Sequence, residues 1–368
     1  MRAFFTLLIC SIPLFISAQV SDAERKVVFP DIPGYKTLKC DLHIHSVFSD
    51  GDVWPTVRVQ EANKDGMDAI SLTEHLEYQP HRDDIPHPDR NRAHEIAKGA
   101  AGKSGLIVIR GSEITRQMPP GHGNAIFITD ANKLLVDDAK GAYQAAADQG
   151  AFVFWNHPNW TAQRPDAVAT LTDLHQELIK SKLLHGIEIA NDDTYSDEAL
   201  QLALDHNLTI LGTSDIHNLI DWQFDIPGGG HRPITLVFAK EKTEESIKEA
   251  LFARRTAVWF KNTLVGAEEF TIPLIKESVK VTAVTYGEKT QVAEVHLTNT
   301  SDVEFVLLNK GKYTFYKNSD AVTIKPHSTL ILDVKTLKVL SSFDLTFELL
   351  NVVTSPGRHP TVTWEVKK

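Results

Sequence analysis

The 368-residue sequence predicts an α/β protein, a barrel of strand–helix repeats followed by a small antiparallel β domain. Three observations carry that expectation. Short apolar runs alternate with helical stretches from about residue 38 to 260, and most of the runs are followed by a His, Asp or Glu. From about Val265 the texture changes to alternating apolar and polar residues between Gly, Asn, Asp and Ser turns. Strand ends are where such barrels place their chemistry.

The N-terminus reads as an address. Met1-Arg2, an apolar run over 4–16 and Ser17-Ala18-Gln19 have the layout of a signal peptide over residues 1–18, cut after Ala18. The run is too short to span a bilayer and no other segment is apolar enough, so a periplasmic or secreted chain without a membrane span is expected. Only Cys40 would survive processing, which excludes an internal disulfide and suggests a buried inert thiol. Formal net charge is -10. An acidic chain without a Lys/Arg cluster argues against nucleic acid as the main partner.

The barrel opens on Asp41-Leu42-His43-Ile44-His45 and a turn ending in Ser49-Asp50-Gly51. With the strand period of two, His43 and His45 leave one face while Leu42 and Ile44 leave the other. Two imidazoles therefore aim at one point, and Asp50 adds a carboxylate just past the strand end. A lone His-x-His is more often a pair of surface side chains; repetition along the chain is what points to a site.

A helix ending at Lys64, with Pro55 in its first turn and Gly66 beyond it, leads to a strand over 67–72 and then His75. Residues 79–92, with His81 and His87, read as a solvated loop. A helix to about Ala101 and a strand over 106–109 lead to Glu113, with Arg116 shortly after. Next come Gly121-His122-Gly123, where the glycines let backbone approach a ligand, and an apolar run over 125–128. A helix over 140–148 and a strand over 151–155 lead to His157, Pro158 and a loop through Asn159, Trp160 and Arg164 that could wall a site. A further helix and a strand over 186–189 carry Glu188, with Asn191 following. Those two read either as orienters of ligands or as satisfied structural polar residues. A helix over 196–206, N-capped by Ser196, precedes the strand over 208–213, after which Asp215 and His217 repeat the spacing of the first motif. Pro227-Gly228-Gly229-Gly230 reads as a surface loop or one that closes over substrate, and His231 and Arg232 follow it. A strand over 234–238 and a helix over 244–254, capped at Thr243, complete the barrel. Runs at 279–282, 293–297, 305–308, 329–334 and 361–366 form the β-sandwich, which has no ligand constellation; its His296, His327 and His359 belong on the surface.

Over about residues 38–260 the order of these motifs resembles the PHP (polymerase and histidinol phosphatase) superfamily of metal-dependent phosphoesterases. The resemblance implies a distorted (β/α)7 TIM-like barrel in residues 19–264, ahead of the sandwich in 265–368. It also implies three divalent metal ions. His43, His45, Glu113 and Asp215 would hold the first, Asp50, His75 and His217 the second, and Glu113, His122 and His157 the third. Glu74 stands where the family more often has Asp. Imidazole and carboxylate without thiolate suit Zn, Mn or Fe.

Such a cluster offers phosphoester hydrolysis by a metal-bridging hydroxide, with His43, His45, Glu113, Asp215 and His217 at the chemistry. Arg116, Arg164, His231 and Arg232 are the candidates to hold a small phosphoester substrate. Similarity to secreted phosphodiesterases of the Sb-PDE type, which also carry a C-terminal β domain, implies cleavage of phosphodiesters. The alternatives are a phosphomonoesterase resembling histidinol phosphatase or the nucleotide phosphatases, and a non-catalytic, metal-stabilised cell-surface binding module.

Overall fold

The structure is a computed structural model that describes residues 26–368, so the expected signal peptide lies outside the described residues. The barrel portion runs β1 (Lys36–Ile44), α1 (Pro55–Lys64), β2 (Ala69–Leu72), α2 (Arg92–Ala101), β3 (Ile107–Ile114), β4 (Gly123–Ile126), α3 (Ala139–Ala147), β5 (Phe152–Trp155) and α4 (Asp173–Lys180). It continues with β6 (Gly186–Asn191), β7 (Thr194–Tyr195), α5 (Asp197–His206), β8 (Thr209–Thr213), α6 (Ile220–Gln223), β9 (Ile234–Ala239), α7 (Glu244–Phe252), β10 (Thr256–Phe260), β11 (Thr263–Gly266) and α8 (Glu268–Ser278). Helix starts follow local chemistry: Pro55 occupies the first turn of α1, and the Ser196 and Thr243 side chains accept from Ala199 N and Ser246 N at 3.1 and 3.2 Å.

β1 lies at the centre of the sheet, parallel to β2 and antiparallel to β9. Leu38, Cys40 and Leu42 share one apolar core with side chains of β2–β5, β8, β9 and α7, while Asp41 and His43 are fully buried. From β1 the sheet runs through β2, β3, β4, β5 and β6, and β8 pairs with β6 in parallel. The wall then curls back on itself. His45 N donates to Ile216 O at 3.1 Å and Asp215 N to His43 O at 2.9 Å, so the chain after β8 meets the end of β1 and the strands β1–β6 and β8 form a distorted barrel. β4 runs antiparallel to both neighbours. The link from β3 is too short to carry a parallel crossover, which needs a dozen or more residues.

The seam between β8 and its neighbours is closed by side chains. Thr235 Oγ1 accepts from Gly212 N at 3.0 Å and donates to Gly212 O at 2.8 Å, and Thr256 Oγ1 donates to Ile210 O at 2.9 Å. A Cβ on Gly212 would lie 2.3 Å from Val258 Cγ1, so this close approach requires glycine.

The C-terminal portion comprises β12 (Val279–Tyr286), β13 (Val292–Asn299), β14 (Phe305–Asn309), β15 (Ala321–Ile324), β16 (Thr329–Lys335), β17 (Ser342–Leu349), β18 (Val352–Val353) and β19 (Thr361–Lys367). Sheets β12-β13-β16 and β15-β14-β17-β19 are antiparallel and alternate buried with exposed residues, as two packed faces demand. The sandwich strands thus begin at Val279, and α8 occupies the stretch before them, which sequence reading assigned to β texture. β18 leaves the sandwich and pairs in parallel with β11, Leu264 opposite Val352, and one apolar core runs from the barrel into the sandwich. Among the described residues no helix is long and apolar enough to cross a membrane.

Candidate metal centre

The strand ends converge as the sequence spacing predicts. His43 Nε2, His45 Nε2 and Asp215 Oδ1 lie within 3.0–3.1 Å of one another at the end of β1 and the loop after β8. Beside them, Asp50 Oδ1 is 3.2 Å from His217 Nε2 and Asp50 Oδ2 is 3.3 Å from His75 Nε2. On the other side, Glu113 Oε1 is 3.0 Å from His122 Nδ1 and 3.5 Å from His157 Nε2. Glu113 also stands 3.6 and 3.8 Å from His43 and His45, so one carboxylate reaches toward all three groups. All nine residues singled out from sequence meet at one cavity of about 430 Å³, with His43, His45 and Glu113 wholly buried beneath it.

Three sets of donor atoms are close enough to hold an ion each: His43, His45 and Asp215; His45, Asp50, His75 and His217; and His75, Glu113 and His122. They differ from the expected partition in three ways: Glu113 is absent from the first set, His45 is added to the second, and His75 takes the place of His157 in the third. The carboxylate oxygens supply the test of fit. Asp50 Oδ1, Glu113 Oε2 and Asp215 Oδ1 are buried, yet none makes a well-aligned hydrogen bond among the described residues. Buried acceptors are ordinarily satisfied. Carboxylate and imidazole donors so placed fit divalent cations.

The local backbone serves this convergence. A Cβ on Gly51 would lie 2.8 Å from the backbone of His45 and Ser46, so only glycine lets the turn fold back and bring Asp50 to the site. His157 and Asp215 have φ of 27° and 48°, a region non-glycine residues rarely adopt and which clusters at functional sites.

Around the donors stands a ring of orienting groups. Glu188 accepts from His43 Nδ1 at 2.8 Å, Thr213 Oγ1 at 2.6 Å, Asn191 Nδ2 at 2.9 Å and His157 N at 2.6 Å. This decides between the two readings of Glu188 and Asn191 in favour of orientation. Asn156 Nδ2 donates to Glu113 at 2.7 Å. Glu74 accepts from Ser49 Oγ at 2.6 Å and from Ser46, and Ser49 Oγ is 3.1 Å from His45 Nδ1, so Glu74 acts on His45 through the turn. Arg58, missed by sequence reading, is buried with its guanidinium on the carbonyls of His45 (2.8 Å), Asn218 (2.7 Å) and His217 (2.6 Å), tying both ligand segments together. Nothing in an amphipathic helix marks such a residue.

Charge is strongly coupled here. Burial disfavours the His43 imidazolium, but Asp215, Glu188 and Glu113 outweigh it and push His43 up to about 10. His75 rises to about 11 against its own burial, through Glu113 and Asp50. Burial, with the charges of His75 and His217, takes His45 down to about 3. Despite burial, the surrounding imidazoles hold Glu113 and Asp215 well below the usual carboxylate range.

The expected phosphate contacts fare differently. Arg232 is buried away from the cavity, its Nη atoms 3.1 Å from Asp41 and 2.6 Å from Asp65. Arg116 pairs with Glu77 at 2.9 Å and donates to the carbonyls of Val136 and Asp137; Arg164 donates to Thr170 O. None of the three lines the cavity. His231 stacks on Trp259 in a neighbouring cleft. The wall is formed instead by Asn159, Trp160, Thr161, Asn191, Asp192 and Gln223, of which the loop at Asn159 and Trp160 was legible in the sequence. His87 is a structural tie, its Nε2 2.7 Å from Phe48 O, and burial pushes the Cys40 thiol well up, as befits an inert residue.

A barrel with buried imidazoles and carboxylates at its strand ends, joined to an antiparallel sandwich, defines a two-domain metal-binding protein. A family model described as an Ig-like domain matches residues 279–365. A crystal structure from Bacteroides vulgatus, described as a two-domain protein containing a predicted PHP-like metal-dependent phosphoesterase, is 43% identical, with 93% of this chain and 98% of that one covered and a TM-score of 0.86. The chain belongs to this family of PHP-like metal-dependent phosphoesterases. More distant are a protein from Bifidobacterium adolescentis assigned as a metal-dependent phosphoesterase (17% identity, 50% and 90% covered, TM-score 0.39) and a lesion-specific endonuclease from Pyrococcus furiosus (16%, 68% and 62%, 0.42). No curated protein matches the chain.

Proposed function

We propose that the protein hydrolyses phosphodiester bonds in small organic phosphates, outside the cytoplasm, after removal of residues 1–18. The observation that carries the hydrolytic reading is the set of three donor groups meeting around Glu113 beneath one cavity. Divalent ions such as Zn, Mn or Fe bound there would supply an activated water at neutral pH and offset charge on the phosphate oxygens. The chain's own part is to aim the donors. Glu188 and Ser49 fix the rings of His43 and His45, and Asn156 fixes Glu113. Trp160 packs 5.1 and 5.6 Å from the His157 and His122 rings and shields that side of the cavity.

Preference for a diester is supported by what lines the cavity. Among the described residues around it there is no Lys or Arg, while Asp192 and Asp193 stand at its mouth. A dianionic monoester would meet those carboxylates without a guanidinium to hold it; a monoanionic diester meets them at lower electrostatic cost. The test is hydrolysis of an aryl phosphomonoester and the matching ethyl aryl diester by the Zn- or Mn-loaded protein. Faster cleavage of the diester is expected. A monoester preference would overturn the diester reading, and stoichiometric metal with no cleavage of any ester would overturn hydrolysis.

A further inference from the structure

The three donor groups differ in how their backbone is held. The first assembles through pairing of main chain, Asp215 N on His43 O and His45 N on Ile216 O. The third is built on the β3–β4 ladder, where Glu113 lies opposite Asn124, and Asn156 N donates to His122 O at 3.1 Å. The second draws Asp50 from the turn after β1 and His217 from the loop after β8, and Ile216 is the last residue of that loop bridged to β1. Beyond it one main-chain bond, Asp52 N to His217 O at 2.9 Å, joins the two segments, and side chains of α1 take over.

All five guanidinium hydrogens of Arg58 are placed there. Nε donates to His45 O, Nη1 to Asn218 O and Glu61, and Nη2 to His217 O and, at 3.2 Å, to Ile216 O. Glu61 accepts from Arg58 with one oxygen and from Ile220 N with the other, both at 2.9 Å. Two side chains of one helix thus hold four backbone groups over residues 216–220 and tie them to His45. A guanidinium is a rigid planar fork, so it fixes a distance as well as a contact; an ammonium has its three donors at one point. A permanent cation in the wall of a cation site opposes the ion it helps to hold, and Glu61 on the same guanidinium offsets that charge.

The second group is also the one nearest solvent. The side chains of Asp50 and His217 are 24% and 33% exposed, those of His43, His45 and Glu113 not at all. Donors that packing does not lock depend on the groups that orient them.

We propose that Arg58 is the positioning residue for one ion in particular, the one held by Asp50, His75 and His217, and that the other two groups assemble without it. Occupancy of this outer site then follows the Arg58–Glu61 pair while the deeper sites stay filled. The inference rests on the metal-binding reading of the cavity and is independent of which ester is cut.

The test follows zinc content by elemental analysis as a chelator is raised over the fully loaded protein. Expected for Arg58→Lys is release of one ion per chain at about 10- to 100-fold lower chelator, the remaining ions leaving as in the wild type. His217→Ala should empty that site by itself, and Arg58→Lys added to it should change zinc content no further, because both act on one ion. Arg255→Lys is the matched control. Arg255 is a buried guanidinium that also holds a carbonyl, Phe238 O at 3.0 Å, beside Glu249, but none of these contacts reaches a donor segment; its release curve should match the wild type. An unchanged curve for Arg58→Lys, equal weakening of every ion, or a further loss in the His217→Ala background would overturn the assignment. Circular dichroism records whether each variant is folded. If Arg58→Lys is not, Glu61→Gln takes its place: it frees the guanidinium from its anchor and should release the same single ion to a smaller degree, whereas a wild-type curve or a uniform loss overturns the proposal. Wild-type protein that takes up no zinc would sink the metal centre itself and this inference with it, a failure told apart by the wild-type curve alone.

Discussion

Two clusters of buried charge lie along β1, and they are finished in opposite ways. Asp41 accepts from Ser214 Oγ at 2.6 Å, Ser214 N at 3.0 Å and Arg232 at 3.1 Å, and Arg232 reaches on to Asp65. Two residues further along, His43 and His45 meet Asp215 and Glu113, whose oxygens at Asp215 Oδ1 and Glu113 Oε2 are left without an aligned donor among the described residues. Both clusters are largely removed from solvent, so both need a compensating charge. The first does so with a guanidinium from its own chain; the second has the donor set that a divalent ion completes. Buried charge alone does not mark a site, and the quality of its satisfaction separates structure from chemistry.

Breaking each cluster in turn tests that contrast. The largest effect is expected at the metal donors: Asp215→Asn should cut phosphoester hydrolysis by about 10³-fold or more, with lower metal content by elemental analysis and an unchanged circular dichroism spectrum. Normal turnover by this variant in metal-depleted buffer would end the assignment. Arg232→Met should do the reverse, destabilising the fold by about 3–5 kcal/mol because Asp41 and Asp65 lose their cation. Urea denaturation measures this, and a loss near zero would mean the pair is not what holds the lower barrel. Intermediate effects belong to the orienting ring, where Glu188→Gln should weaken metal affinity by about 10- to 100-fold by chelator competition.

A gentler test is a slope with pH, which leaves the sequence untouched. His43 and His75, held up to about 10 and 11, carry protons near neutrality in the metal-free protein. An ion must displace those protons, so affinity should rise with pH, by about tenfold per unit for each proton released. The same elevation means that these two rings stabilise the metal-free fold fully below their unfolded value near ~6.5, and that this contribution fades as pH rises through their folded values. Metal affinity that is flat between neutral and mildly alkaline pH would contradict the protonation state drawn here.

The difference between the clusters also explains what could be read in advance. The candidate donors were legible because they follow short apolar runs, a pattern that survives in one dimension. The arginines were not. Arg116, Arg164 and Arg232 were selected for lying near ligands in sequence, but Glu77, the Thr170 carbonyl and the Asp41–Asp65 pair claim them in three dimensions. Asp192 and Gln223 escaped notice because a polar loop residue shows nothing in sequence of which cavity it faces. In the fold, alternation revealed most sandwich strands; α8 carries an internal Pro273 beside a change of texture, and two-residue β18 has no periodicity at all.

That last strand has a consequence for how the molecule can be divided. Val352 and Val353 cover the outer edge of β11, which is otherwise the end of the barrel's sheet. A barrel produced without its sandwich would present Thr263–Gly266 as a naked template of amide and carbonyl groups, an invitation to edge-to-edge aggregation. In this chain the Ig-like domain is therefore also the barrel's cap against self-association.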